Sequence, residues 1–215
     1  GDEVILLAPA WPSYDGMLKL LGAVPVHVPV KRDNYHPDFA AIENAITERT
    51  KAIMINSPNN PTGAVYTPEE VQQLVKIAEA HDLWIIDDMI YASLVWEDYG
   101  YTSPMTCEGG EERTITIGGW SKGWAMTGWR MGWIGGSKEV IDAVKKVNAS
   151  AATHIPTFLM PAGITALSLE KETKMMQVKS RASVSKTRSN NLRKKVNKSR
   201  LIDSASNRMG ARRQR

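Results

Sequence analysis

The stretch Ser121-Lys122-Gly123-Trp124-Ala125-Met126-Thr127-Gly128-Trp129-Arg130 carries the most information in this chain. It sets one lysine between two small residues, in a glycine-rich loop, and an arginine eight residues later. An apolar, strand-like run, residues 129–136 (WRMGWIGG), lies behind it. Eight residues span at most about 26–29 Å when extended, so the spacing permits both cations to meet one small ligand and does not compel it. The flank of Trp120, Trp124, Met126 and Trp129 predicts that Lys122 is kept from bulk water. Without that shielding, a lysine in such a loop is a surface residue.

Working outward, strand and helix patterns alternate. Residues 3–8 (EVILLA) are continuously apolar over a strand's length. Residues 13–22 have helical spacing, with Met17, Leu18, Leu20 and Leu21 apolar and Gly22 as the stop. Residues 24–29 (VPVHVP) predict an edge strand, because proline cannot donate to a ladder. A helix with Phe39, Ile42 and Ile46 on one face follows His36-Pro37-Asp38. Residues 52–55, 84–87 and 114–118 predict further strands. Thr67-Pro68-Glu69-Glu70 predicts a capped helix running to about 81. Helices are expected at 137–148 and 157–169. The pattern predicts an α/β fold, a three-layer α/β/α domain with a mostly parallel sheet. In such sheets chemistry collects at the carboxyl ends of the strands.

Composition narrows the class. The chain has 215 residues, 42% hydrophobic and 23% charged, which suits a folded globular domain. One cysteine, Cys107, excludes an intramolecular disulfide framework and fits a reducing, cytoplasmic compartment. No apolar run approaches the roughly 18 residues of a membrane span, so no membrane partner is expected. No signal peptide opens the chain, and the start at Gly1 rather than Met suggests a fragment or a processed terminus. His27, His36, His81 and His154 lack metal-ligand spacing, so no metal is expected. The net charge of +4 conceals a division: residues 171–215 hold 15 Lys and Arg against two acids, whereas residues 1–170 hold 12 against 21.

The loops after the strands hold the chemical candidates. A lysine that attacks an aldehyde must present a neutral amine, which burial and nearby cations favour; Lys122 is that candidate. Asp88, just past the strand 84–87, could pair with a protonated ring nitrogen, with Asp87 pointing the other way. The two acids could equally cap a helix or sit in a solvated turn. Tyr91 could donate its phenol to a ring oxygen or simply pack. Arg130 offers a planar fork for phosphate, or a salt bridge at a strand start. Asn60, in Asn59-Asn60-Pro61-Thr62-Gly63, is a turn residue or an amide donor. Trp11 could stack on a ring or be a core aromatic. An aldehyde, a ring nitrogen and a phosphate together describe pyridoxal 5'-phosphate, a cofactor that supplies its own electron sink.

Taken in order, Ala10-Trp11-Pro12-Ser13-Tyr14, Asn60-Pro61-Thr62-Gly63, Asp88-Met89-Ile90-Tyr91 and Ser121-Lys122 through Thr127-Gly128-Trp129-Arg130 resemble the fold-type I pyridoxal-phosphate-dependent aminotransferases of class I and II, the aspartate-aminotransferase-like group. The resemblance covers about residues 1–170. It implies that Lys122 carries the cofactor as a Schiff base, Asp88 pairs with the ring nitrogen, and Tyr91 and Asn60 bind the ring oxygen. It likewise implies that Arg130 and Ser121 bind the phosphate, that Trp11 stacks on the ring, and that Asn60–Pro61 is a candidate cis peptide. The implied reaction is amino transfer between an amino acid and a 2-oxo acid, with a homodimer as the full-length assembly. A truncated non-catalytic binder and a lyase or synthase on the same scaffold are the alternatives.

The chain also departs from the family pattern. Gly119 stands where some relatives carry a phosphate-binding serine. The small-residue phosphate cup, a dimer-contributed tyrosine and a small-domain arginine for the substrate carboxylate are not found. The expected organisation is a large cofactor-binding domain over 1–150, incomplete at its start, and a helix over 151–170 leading towards a largely missing small domain. A basic tail, disordered or aberrant, would fill 171–215. Clustered cations could bind nucleic acid, but the tail has no aromatics for base stacking, so nucleic acid is not the expected partner.

Overall fold

Apolar runs of strand length, which need cover on both faces, come together as the centre of one sheet. The structure is a computed structural model and describes residues 1–95 and 100–169; the basic segment 171–215 lies outside the described residues. The elements are β1 (Glu3–Ala8), α1 (Ser13–Leu20), β2 (Val24–Pro29), α2 (Phe39–Ala45), β3 (Thr50–Asn56), α3 (Pro68–Ala80), β4 (Trp84–Asp88), β5 (Thr114–Gly119), α4 (Trp120–Gly123), β6 (Gly132–Gly135), α5 (Lys138–Ala151) and α6 (Met160–Ser168). The sheet order is β2-β1-β3-β4-β5-β6. The first five strands are parallel, and β6 is antiparallel to β5. β2, with Pro25 and Pro29, takes the edge, where a missing donor costs no ladder bond.

The two-residue strand period splits the core. Ile5, Leu7, Ile53, Ile55 and Ile85 pack beneath α2 and α3, against Ile42, Val71, Leu74, Val75 and Ala78. Val4, Leu6 and Ala52 face the other way and pack with Tyr14 of α1. This is the expected α/β/α layering, with helices on both sheet faces. α3 starts where Thr67 and Glu70 predict: Glu70 N–H donates to the Thr67 hydroxyl at 3.3 Å, and Thr67 N–H donates to the Glu70 carboxylate at 2.9 Å.

Several expectations need adjustment. Lys122 sits on the short helix α4, not in a glycine-rich loop, because the Trp120 carbonyl accepts from Trp124 N–H at 3.2 Å and Met126 N–H at 3.3 Å. Asp88 is the last residue of β4 rather than one past it, since β3 extends to Asn56 and pairs with it. The expected strand at 129–136 shrinks to Gly132–Gly135, with a 3-10 turn over Thr127–Trp129 ahead of it. α5 runs on to Ala151, and α6 follows a 3-10 turn at Thr157–Leu159. In α1 the apolar residues divide: Tyr14 is buried, while Met17, Leu20 and Leu21 are 52%, 87% and 82% exposed. Among the described residues, no helix is long and apolar enough to cross a membrane.

Candidate active site

The carboxyl ends of β3, β4 and β5 lie side by side, with Asn56 opposite Asp88 and Asp88 opposite Ile117. They open on a cavity of about 520 Å³. Trp11, Asn60, Asp88, Tyr91, Ser121, Lys122 and Arg130 all line it. Every candidate from the sequence therefore meets at one place, although they come from four separate connections and one strand end.

Asp88 is the best-anchored group. One carboxylate oxygen accepts the Tyr14 hydroxyl at 2.6 Å, and the other accepts Ile90 N–H at 3.1 Å. Its backbone carbonyl accepts the Asn56 side-chain amide at 2.8 Å, and the Asn56 side-chain oxygen accepts Asn60 N–H at 2.8 Å. Asn56 thus ties the β4 end to the Asn60 turn. Asn60 reaches Tyr91 in turn, its amide donating to the phenol oxygen at 3.5 Å. The Asn60–Pro61 peptide is cis, as the resemblance implies, and Ala8–Pro9 and Ser57–Pro58 are cis as well.

Asp87 turns to the opposite face, as the strand alternation predicts. It is fully buried, and one of its oxygens accepts the Tyr101 hydroxyl at 2.5 Å and the Ser103 hydroxyl at 3.1 Å. Burial pushes its carboxyl up to about 6 despite those two donors, and the neighbouring Asp88 charge adds to the rise.

The lysine environment differs from expectation. Lys122 and Arg130 are exposed at the cavity, not screened by the tryptophans. The reason is where the indoles go: Trp120 donates its ring N–H to the Gly163 carbonyl at 3.1 Å, and Trp124 to the Ala166 carbonyl at 2.7 Å. Both rings brace α4 against α6 rather than cover the amine. The Lys122 amine lies 6.0 Å from the Tyr91 ring centroid. Arg130 has a left-handed backbone, φ 54°, and donates to the Thr127 carbonyl at 2.9 Å, so its turn holds the guanidinium. Trp11 is not a core aromatic; it is 37% exposed and meets Tyr14 edge-on at 5.3 Å between centroids. At Gly119 a Cβ would come within 2.8 Å of the Met131 carbonyl and 3.1 Å of Gly132 Cα. The approach of β6 leaves no room for a serine there.

Two functional candidates escaped the sequence reading, Tyr14 and Asn56. Tyr14 lies three residues after Trp11, one helical turn, and that spacing was the available signal. Asn56 ends an apolar strand, and nothing local distinguishes it from an ordinary strand terminus. Among the described residues, no cluster of His, Cys, Asp and Glu could hold a metal ion.

The donor set matches pyridoxal phosphate group by group: an acid for the ring nitrogen, an amine for the aldehyde, a guanidinium and hydroxyl for the phosphate, and an amide and phenol for the ring oxygen. Asp88 keeps acceptor capacity on both oxygens after its two bonds. Fold and cavity together define a fold-type I α/β domain with a polar-lined cavity at its strand ends.

The chain belongs to the aminotransferase class I and II family, whose sequence pattern matches residues 1–208 and whose members depend on pyridoxal phosphate. It is 44% identical over 168 residues to a probable aspartate/prephenate aminotransferase of Thermus aquaticus, covering 78% of this chain and 43% of that protein. It is 41% identical to the aspartate/prephenate aminotransferase of Thermus thermophilus over the same shares. Among solved structures, a single-mutant aspartate aminotransferase of Thermus thermophilus superposes with TM-score 0.78 at 40% identity, over 82% of this chain and 46% of that one. N-succinyldiaminopimelate aminotransferase of Mycobacterium tuberculosis gives TM-score 0.79 at 35% identity, over 85% and 48%. The chain thus spans less than half the length of these relatives.

Proposed function

We propose that this chain is the cofactor-binding part of a pyridoxal-phosphate-dependent aminotransferase, which moves an amino group between an amino acid and a 2-oxo acid. One observation carries the reading: an acid, an amine and a guanidinium from three different segments line one cavity at the carboxyl ends of parallel strands. When bound, the cofactor supplies an aldehyde and an electron-withdrawing ring.

The chain supplies the rest. Asp88 holds the positive charge of the ring nitrogen. Asn60 and Tyr91 donate to the ring oxygen. Arg130 and Ser121 bind the phosphate, the guanidinium through paired donors. Trp11, which lines the cavity, would cover one side of the ring and exclude water there. Lys122 would hold the aldehyde of the cofactor, and its amine would serve as the base for the proton on the amino acid Cα. The full-length protein is proposed to be a homodimer, supported by the apolar surface left outside this core. A cytoplasmic setting belongs to the same reading and is supported by the single, half-buried cysteine, Cys107.

Titration of the chain with pyridoxal phosphate tests this. The expected result is an absorption band at the visible edge, reducible by borohydride onto Lys122 and lost in Lys122→Ala. Addition of an amino acid should bleach the band, and a 2-oxo acid should restore it. Binding without bleaching would leave a cofactor-binding domain that turns nothing over.

A further inference from the structure

Tyr14 stands beside the cavity's acid and lines the same cavity. It is 4% exposed, in the first turn of α1, and packs with Val4, Leu6 and Ala52. A phenylalanine would fill that space equally well. What the hydroxyl adds is one bond, 2.6 Å to the Asp88 carboxylate. Burial, and then the Asp88 charge, hold the phenol far above its ordinary titration range. The proton therefore stays on the tyrosine, and the hydroxyl is a permanent donor to Asp88.

The contact sits within a chain of positioned groups. Tyr14 N–H donates to the Trp11 carbonyl at 3.1 Å, and the two rings meet at 89°. Trp11 and Asp88 both line the cavity. With Ile90 N–H on the second oxygen at 3.1 Å, the carboxylate is fixed about its Cβ–Cγ bond at both ends. A carboxylate free to rotate would meet a flat ring nitrogen in only some of its orientations.

We infer that Tyr14 is the positioning residue for Asp88, holding its carboxylate oriented toward the ring nitrogen of pyridoxal phosphate. This rests on the proposed function. Tyr14 acts through Asp88 and needs no contact with the cofactor or the reacting atoms.

A double-mutant cycle on cofactor affinity separates positioning from packing. The 215-residue chain, Tyr14→Phe, Asp88→Asn and the double variant are titrated with pyridoxal phosphate, with borohydride trapping at Lys122 as a second readout. Losing a donor to a charged acceptor should weaken binding by about ten- to a hundredfold in the Asp88 background. In the Asp88→Asn background the same change should alter binding by no more than about twofold. Equal losses in both backgrounds would mean that Tyr14 only packs, and no loss in either would mean that the bond is idle; each overturns the inference while the proposed function stands. If the unsubstituted chain captures no cofactor, the proposed function fails, and the ligand-free protein decides the inference. The Asp88 carboxyl carbon resonance, assigned with Asp88→Asn, should move in Tyr14→Phe at neutral pH; an unmoved resonance overturns it.

Discussion

Two adjacent carboxyls end β4, and a single step along the strand sends them to opposite faces of the sheet. Asp88 reaches the cavity; Asp87 is sealed under the Tyr101 segment with one oxygen lacking a hydrogen-bond partner. Asp87 takes its proton at about 6 in the fold, against 3.8 in an unperturbed chain. Between those values the folded state binds the extra proton, so the stability from this group is full below the lower value and lost as pH rises through the upper one. The loss amounts to about 3 kcal/mol. Asp87→Asn should therefore raise the melting temperature at pH 7 and make it less dependent on pH between about 4 and 6, with thermal melts across that window as the check. Asn56→Ala should destabilise the chain by about 1–3 kcal/mol, because the Asp88 carbonyl and Asn60 N–H both lose their partner; chemical denaturation of the two chains measures it. The acid, amine, guanidinium and amide were legible in the sequence because each sits in a short motif at a strand end. Tyr14 and Asn56 were not, because their roles depend on partners 74 and 32 residues away.

At the scale of elements, α4 is a single turn that cannot stand alone, since a helix this short lacks propagated bonds. It is stabilised from outside, by the two indoles that donate to α6. Trp124→Phe should cost about 1 kcal/mol through the lost bond to the Ala166 carbonyl. It should also raise hydrogen exchange over 160–168 more than in α3, which mass spectrometry can resolve by segment. α3 needs no such support, because its capping box and its buried face of Val71, Leu74, Val75 and Ala78 agree with each other. That agreement is why its start was readable from Thr67-Pro68-Glu69-Glu70. α4 was hidden because Gly123 and Gly128 mimic a loop, and only the contact with α6 makes the turn worth forming.

Across the whole molecule, the apolar surface is concentrated on helices that the sheet does not fully cover. Leu20, Leu21, Phe158, Val147 and Ile164 are each more than two-thirds exposed. Met17, Leu20 and Leu21 follow helical spacing and form one outward stripe on α1. Sedimentation should accordingly reveal self-association that rises with concentration. Leu20→Lys with Leu21→Glu should weaken it while shifting stability by no more than about 0.5 kcal/mol per site, because neither side chain touches the core. The order of elements, the parallel sheet and the location of chemistry at the strand ends were all decided by the amino-acid sequence, because periodicity, caps and strand-end motifs are local properties of the chain. The face each helix buries, the exposure of Lys122, the exclusion of any side chain at Gly119 and the grip of Tyr14 on Asp88 were decided only by tertiary structure. Those depend on which distant segments come within a few ångströms of one another, and no local pattern encodes that distance.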